Sequence, residues 1–198
     1  MKVFELFAGY GGASFALKLA GIPHEVVGYS EIDKYAIQCY DQNHYVHDER
    51  VPDMGGRILH KNYGDITAIN PSELPDFDLL TGGTPCQDFS MAGKREGMFD
   101  SEGKPTRSGL VLDYIRILRA KKPQYFVWEN VKGVFTVKDK VTGEYQFDFI
   151  LELFSESGYE IDFRLLNSKD YGTPQNRERV FVIGTRKDLK ADECQGLI

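Results

Sequence analysis

Cys86 stands in the run Gly82-Gly83-Thr84-Pro85-Cys86-Gln87-Asp88-Phe89-Ser90, a cysteine on a Pro-Cys turn within a polar, glycine-rich stretch. Thiolate is the reactive form of cysteine, so such a placement makes Cys86 a candidate nucleophile. Glu129 lies at the end of the apolar run Val127-Trp128-Glu129-Asn130-Val131. Partial burial there would favour the protonated carboxyl and let it serve as an acid. Arg177 and Arg179, in Gln175-Asn176-Arg177-Glu178-Arg179, are two residues apart. On extended chain their side chains point the same way and suit capture of a carboxylate or phosphate. Each read separately is an ordinary surface charge; for the pair, a binding role and plain surface are evenly matched.

A second cluster opens the chain. Gly9-Tyr10-Gly11-Gly12 follows an apolar run, and glycines there let backbone approach a ligand closely. Glu31 comes twenty-two residues after Gly9, where an acid can accept the ribose hydroxyls of an adenosine-bearing cofactor. Ser14 occupies the place of the third glycine of a dinucleotide fingerprint. On these features alone, a nucleoside site and a plain turn are evenly matched. Cys39, between Gln38 and Tyr40, is expected to be a buried structural cysteine. Cys194 has no supporting context.

The elements that must position these residues alternate. Lys2–Phe7 reads as a strand, Ala13–Ala20 as a helix with Gly21 at its C-terminal cap, His24–Tyr29 as a strand and Asp33–Tyr40 as a helix. Phe77–Thr81, Gln124–Glu129, Tyr159–Leu166 and Arg179–Gly184 read as strands, and Leu110–Leu118 and Phe147–Phe154 as helices. The pattern predicts an α/β fold, a doubly wound, mainly parallel sheet of at least six strands. Ligand sites in such sheets lie beyond the carboxyl ends of the strands, where the Cys86 loop begins. Val46–Lys61 shows no period and reads as a loop; Asp139–Glu144 reads as a turn or small hairpin tip.

With 198 residues, 41% hydrophobic and 27% charged, including thirteen Phe and eleven Tyr, the chain is expected to be one globular domain with a real core, spanning 1–198. No membrane span or secretory leader is read from it, and three cysteines indicate no disulfide framework. A reducing cytoplasm is the expected location. No metal site is read. The net charge of -6 argues against a nucleic-acid binder, yet it is unevenly spread. Residues 86–123 carry eight basic and five acidic side chains; 1–85 carry six against twelve, and 124–198 ten against thirteen. The positive segment is the one suited to phosphates, although charge runs are commonly just solvated surface.

Taken in order, the motifs resemble the cytosine carbon-5 DNA methyltransferase family, over roughly residues 3–184. The resemblance implies a methyltransferase fold of the Rossmann-like type and S-adenosylmethionine as cofactor. It places Phe7, Ala8, Gly9, Gly11, Gly12, Glu31, Ile32, Asp65, Ile66 and Pro85 at the cofactor. Cys86, Glu129, Arg177 and Arg179 become the catalytic set, with Gln87, Ser90, Asn130 and Gln175 at the substrate. The implied reaction adds Cys86 to carbon 6 of a cytosine flipped out of DNA. Glu129 acts at ring nitrogen 3, and carbon 5 is methylated. The segment after Cys86 is implied to be a lid, and bacterial or phage restriction-modification the setting.

Family members usually continue past Arg179 with a target-recognition region and a final helix that completes the cofactor pocket; here about twenty residues remain. Three explanations follow: a split enzyme whose second subunit supplies that region, a short relative or truncated chain of low activity, or a binding module without catalysis. RNA is an alternative substrate. A parallel sheet needs both faces covered, so an exposed apolar patch or self-association surface is expected near the first strand and helix.

Overall fold

A computed structural model describes residues 1–47, 57–85, 107–138 and 143–189. The chain divides into two compact units, Met1–Gly83 and Thr84–Ile198.

In the first unit, β1 (Lys2–Leu6) lies between β2 (Glu25–Ser30) and β5 (Leu79–Gly83) and is parallel to both. Val3, Phe4 and Leu6 are buried, the apolar run expected of a central strand. Helix α1 (Gly12–Leu19) connects β1 to β2, and α2 (Lys34–Asn43) follows β2. Gly21 takes φ +70°, and its N–H donates to the Lys18 carbonyl, the cap its position predicted. Asp33 caps α2 by accepting from the Tyr35 and Ala36 N–H groups.

Two expectations fail here. Val46–Lys61 is not all loop: β3 (Tyr45–His47) pairs antiparallel with β4 (Arg57–Leu59). Three-residue strands are too short to show a period, so the sequence concealed them. Cys39 is exposed on α2, because that helix buries Tyr40 instead. On α1, Phe15 and Leu19 are 52% and 74% exposed, and Ser14 is that helix's buried residue.

In the second unit, β8 (Glu178–Arg186) lies between β6 (Tyr125–Val131) and β7 (Tyr159–Asn167), antiparallel to both, which leaves β6 and β7 parallel to each other. Helices α3 (Val111–Lys121) and α4 (Gln146–Glu156) supply Tyr114, Ile117, Phe147, Ile150 and Phe154 to its core. Phe126 stands 4.5 Å from the Phe154 ring and 5.1 Å from Tyr159. Gly184 is required by this cluster: a Cβ there would lie 2.0 Å from the Phe126 ring. An antiparallel bridge between Lys138 and Tyr145 brackets the expected hairpin tip, most of which lies outside the described residues.

Candidate active site

The loop leaving β1 turns three times through left-handed backbone, at Phe7 (φ 51°), Gly9 (φ 58°) and Gly11 (φ 85°). Phe7 is the costly one, because a side chain there disfavours this region. The loop is tied down on both sides. Ala8 N–H donates to the Ser30 carbonyl, and Gly9 N–H donates to Glu31 Oε2 at 2.9 Å. Glu31 Oε1 accepts from the Ile32 and Asp33 N–H groups at 2.8 and 2.9 Å. Three backbone donors therefore fix one carboxylate, and of its roughly four acceptor sites one remains for a ligand hydroxyl. Asn62 bridges to the next segment, accepting from the Glu31 and Gly64 N–H groups. Asp65 accepts from Thr67 N–H and Oγ–H, capping a short 3-10 turn whose Ile66 is buried in the core.

Space distinguishes the glycines. At Gly9 a Cβ would meet nothing within 4 Å, so the loop is open there. At Gly11 a Cβ would meet His44 Nε2 at 2.1 Å; that imidazole donates to the Tyr10 carbonyl at 3.0 Å. Gly11 therefore admits the protein's own histidine, and Gly9 leaves room for something else. Ile32 is exposed at the rim.

Three residues missed in the sequence frame this loop. Glu5, 1% exposed, accepts from Ser14 N–H at 2.9 Å and from the Tyr40 hydroxyl at 2.5 Å, tying β1 to α1 and α2. Burial first, then the Glu5 charge, pushes the Tyr40 pKa well up, so its hydroxyl stays a donor. A charged residue inside the apolar run Val3–Leu6 was the available signal for Glu5. Nothing local marked Tyr40 or His44.

The second cluster stands on β6 and β8. Arg179 lies opposite Val131, which puts it diagonal to Glu129 on the same face. Its Nε donates to Glu129 Oε1 at 2.8 Å, with side chains 21% and 32% exposed. Burial raises the Glu129 pKa, while the charges of Arg179 and Arg177 and the hydrogen bond from Arg179 lower it. Burial prevails, in the direction the sequence predicted. Arg177 precedes the strand and is exposed; its own N–H donates to Asn167 Oδ1. Gln175 is also exposed, and its carbonyl accepts from Ser168 Oγ. Asn130 faces the other side of β6, 1% exposed, its amide engaged by Thr84 and the Val131 N–H. Pro85 is half-buried beyond Thr84. Cys86, Gln87, Ser90 and the segment proposed as a lid lie outside the described residues, as does Cys194.

The family model for C-5 cytosine-specific DNA methylase matches residues 1–196. The chain belongs to that family. M.Rho11sI, an orphan methyltransferase of Bacillus phage rho11s, is 46% identical over 96% of this chain and 34% of its own length. M.SPRI of Bacillus phage SPR is 44% identical over 98% of this chain and 39% of that protein. M2.ScrFI, a type II methyltransferase of Lactococcus lactis subsp. cremoris, is 36% identical over 92% and 60%. The chain thus spans between a third and three fifths of the length of these relatives. Among solved structures, Schizosaccharomyces pombe Dnmt2 matches with a TM-score of 0.67 at 23% identity, covering 96% of this chain and 50% of the other. A Spodoptera frugiperda DNMT2 mutant gives 0.68 at 24% identity, covering 96% and 51%. These likenesses are of fold, and they agree with the α/β, mainly parallel architecture. Among the described residues no helix is long and apolar enough to cross a membrane, and no group of three or more potential metal ligands occurs.

Proposed function

We propose that this chain is the catalytic part of a cytosine-5 methyltransferase that uses S-adenosylmethionine and acts on DNA. The observation that carries it, beside membership of the family, is the Glu129–Arg179 pair: a carboxyl whose pKa burial raises despite an arginine at 2.8 Å. Such a group keeps its proton to higher pH than an exposed carboxyl does.

S-adenosylmethionine supplies an activated methyl group when bound. The first unit fits it: Glu31 is pre-oriented with acceptor capacity left for a ribose hydroxyl, and the space at Gly9 is open. Phe7, Ala8, Gly9, Gly11, Gly12, Glu31, Ile32, Asp65, Ile66 and Pro85 are assigned to it. Ile66 itself is buried in the core. Cys86 adds as thiolate to carbon 6 of a flipped cytosine, a base whose extrusion costs a few kcal/mol. Glu129 donates to ring nitrogen 3, so the charge created by the addition is met by a proton. Carbon 5 takes the methyl group with release of S-adenosylhomocysteine and gives its proton to water; the electrons of that C–H bond re-form the C5–C6 double bond as the Cys86 sulfur leaves with the electrons of its own bond, and the proton on ring nitrogen 3 returns to Glu129. Arg179 orients Glu129, and Arg177, Gln87, Ser90 and Gln175 bind the base and its backbone. Asn130 serves indirectly, because its amide is already engaged.

A second polypeptide that supplies target recognition is one candidate partner for the exposed Phe15 and Leu19 side chains of α1, and self-association is the other. The experiment is incubation with tritiated methyl donor and cytosine-containing DNA, with RNA in parallel, using the chain alone and with the polypeptide encoded beside it. Label in DNA that is lost in Cys86→Ser is the expected result. Label confined to RNA, or label retained by Cys86→Ser, overturns the reading.

A further inference from the structure

We propose that the Thr84 hydroxyl and the Trp128 indole are positioning residues for the cysteine addition, an inference that rests on the enzymatic reading above. Neither belongs to the catalytic or binding sets already assigned. A threonine hydroxyl oxygen offers two acceptor sites, and both are filled by N–H donors. Trp128 Nε1 donates to Thr84 Oγ1 at 3.0 Å, and Asn130 Nδ2 donates to the same atom at 3.0 Å. The three residues are 3%, 0% and 1% exposed, so no water competes for these bonds. An indole N–H can only donate, which fixes the sense of the first bond. Asn130 is held at its other end as well, where Oδ1 accepts from Val131 N–H at 2.8 Å.

The register gives this arrangement its consequence. Side chains alternate along β6, so Trp128 and Asn130 share the face opposite Glu129 and flank it by one residue on each side. One hydroxyl therefore pins the backbone on both sides of the acid. Thr84 is also two residues before Cys86 in the chain. A single oxygen ties the start of the nucleophile's segment to the strand that carries the proton donor. Reaction between two such groups depends on placement to within about an ångström. Valine has the shape of threonine but would leave the buried indole N–H without its acceptor and Asn130 Nδ2 with only the longer bond to the Thr84 carbonyl at 3.4 Å.

Trp128 is the chain's one tryptophan, so its indole proton gives a single, assignable resonance. The test compares the wild-type chain with Thr84→Ser, Thr84→Val and Trp128→Phe. It is run with the chain alone and with the polypeptide encoded beside it, on duplex carrying 5-fluorocytosine with saturating S-adenosylmethionine. The rate of covalent trapping is measured beside indole proton exchange and affinity for S-adenosylhomocysteine. Thr84→Val is expected to speed indole exchange and slow trapping by roughly tenfold or more, with cofactor affinity unchanged. Thr84→Ser, which restores the acceptor, is expected to recover both readings. Should Thr84→Val not fold, Trp128→Phe deletes one donor with the apolar ring kept and is expected to slow trapping several-fold. Trapping at the wild-type rate in Thr84→Val or, where that variant does not fold, in Trp128→Phe overturns the inference. So does slowing in Thr84→Ser equal to that in Thr84→Val, because shape and not the hydroxyl would then matter. A wild-type chain that traps nothing overturns the enzymatic reading, and this inference with it; only that outcome involves the unaltered protein.

Discussion

Glu129 sits under opposed influences, and their balance is measurable. Burial favours its neutral form, Arg179 and Arg177 its anion, and the net shift is upward. A carboxyl raised in the folded state contributes stability that is full below its unfolded pKa and lost as pH rises through the folded one. The difference in urea midpoint between the wild type and Glu129→Gln should therefore move against the wild type as pH climbs from the ordinary carboxyl range. If the two midpoints run parallel across that range, the proton is not held. Glu129→Gln should also lower methyl transfer by about 10²–10⁴-fold, the usual contribution of a placed acid. Glycines give a second contrast at this scale. Gly9→Ala meets open space but a left-handed φ, so it should cost about 1–2 kcal/mol of stability. Titration with S-adenosylhomocysteine should nevertheless show most of the affinity gone, since that space is where the cofactor is assigned. Gly11→Ala collides with His44 and should lose stability and affinity together.

Elements are joined by a few buried polar groups and tight contacts. Glu5 binds the first turn of α1 and the middle of α2 to β1. Tyr40→Phe removes one of its partners and leaves part of a buried carboxylate unsatisfied, at about 1–3 kcal/mol by denaturant unfolding. Gly184→Ala should cost a similar amount by overpacking, because its Cβ would press into Phe126 within an aromatic cluster. Unchanged unfolding midpoints would show that the cluster can yield. These strands and helices were legible because they are long enough for their apolar period to show. β3 and β4 were not, at three residues each, and neither was the exposure of Cys39, which depends on which face of α2 meets the core.

For the whole molecule, charge and apolar surface make separate claims on partners. The acidic total conceals a positive stretch over 86–123, so DNA binding should weaken with salt, and Lys94→Glu with Arg95→Glu should weaken it further. A titration insensitive to both would remove phosphate contacts from this segment. Phe15 and Leu19 of α1 are both exposed. Replacing both by serine should shift stability by no more than about 0.5 kcal/mol, as expected of exposed positions. Sedimentation at rising concentration then shows whether the apparent mass of the wild type, and not of the double variant, grows.

The order of the motifs, the alternation of strands and helices, and the residue types needed for thiol addition and proton donation are all determined by the sequence itself. They depend on local composition and on spacing along the chain, which a linear reading preserves. Tertiary structure decided which groups meet. Arg179 reaches Glu129 because β8 runs antiparallel to β6 in one register. Thr84 takes two donors from β6, and Glu5 bridges two helices, across 44 and 35 residues of chain. Such pairings follow from strand register and helix packing, where a shift of one residue turns a side chain to the opposite face.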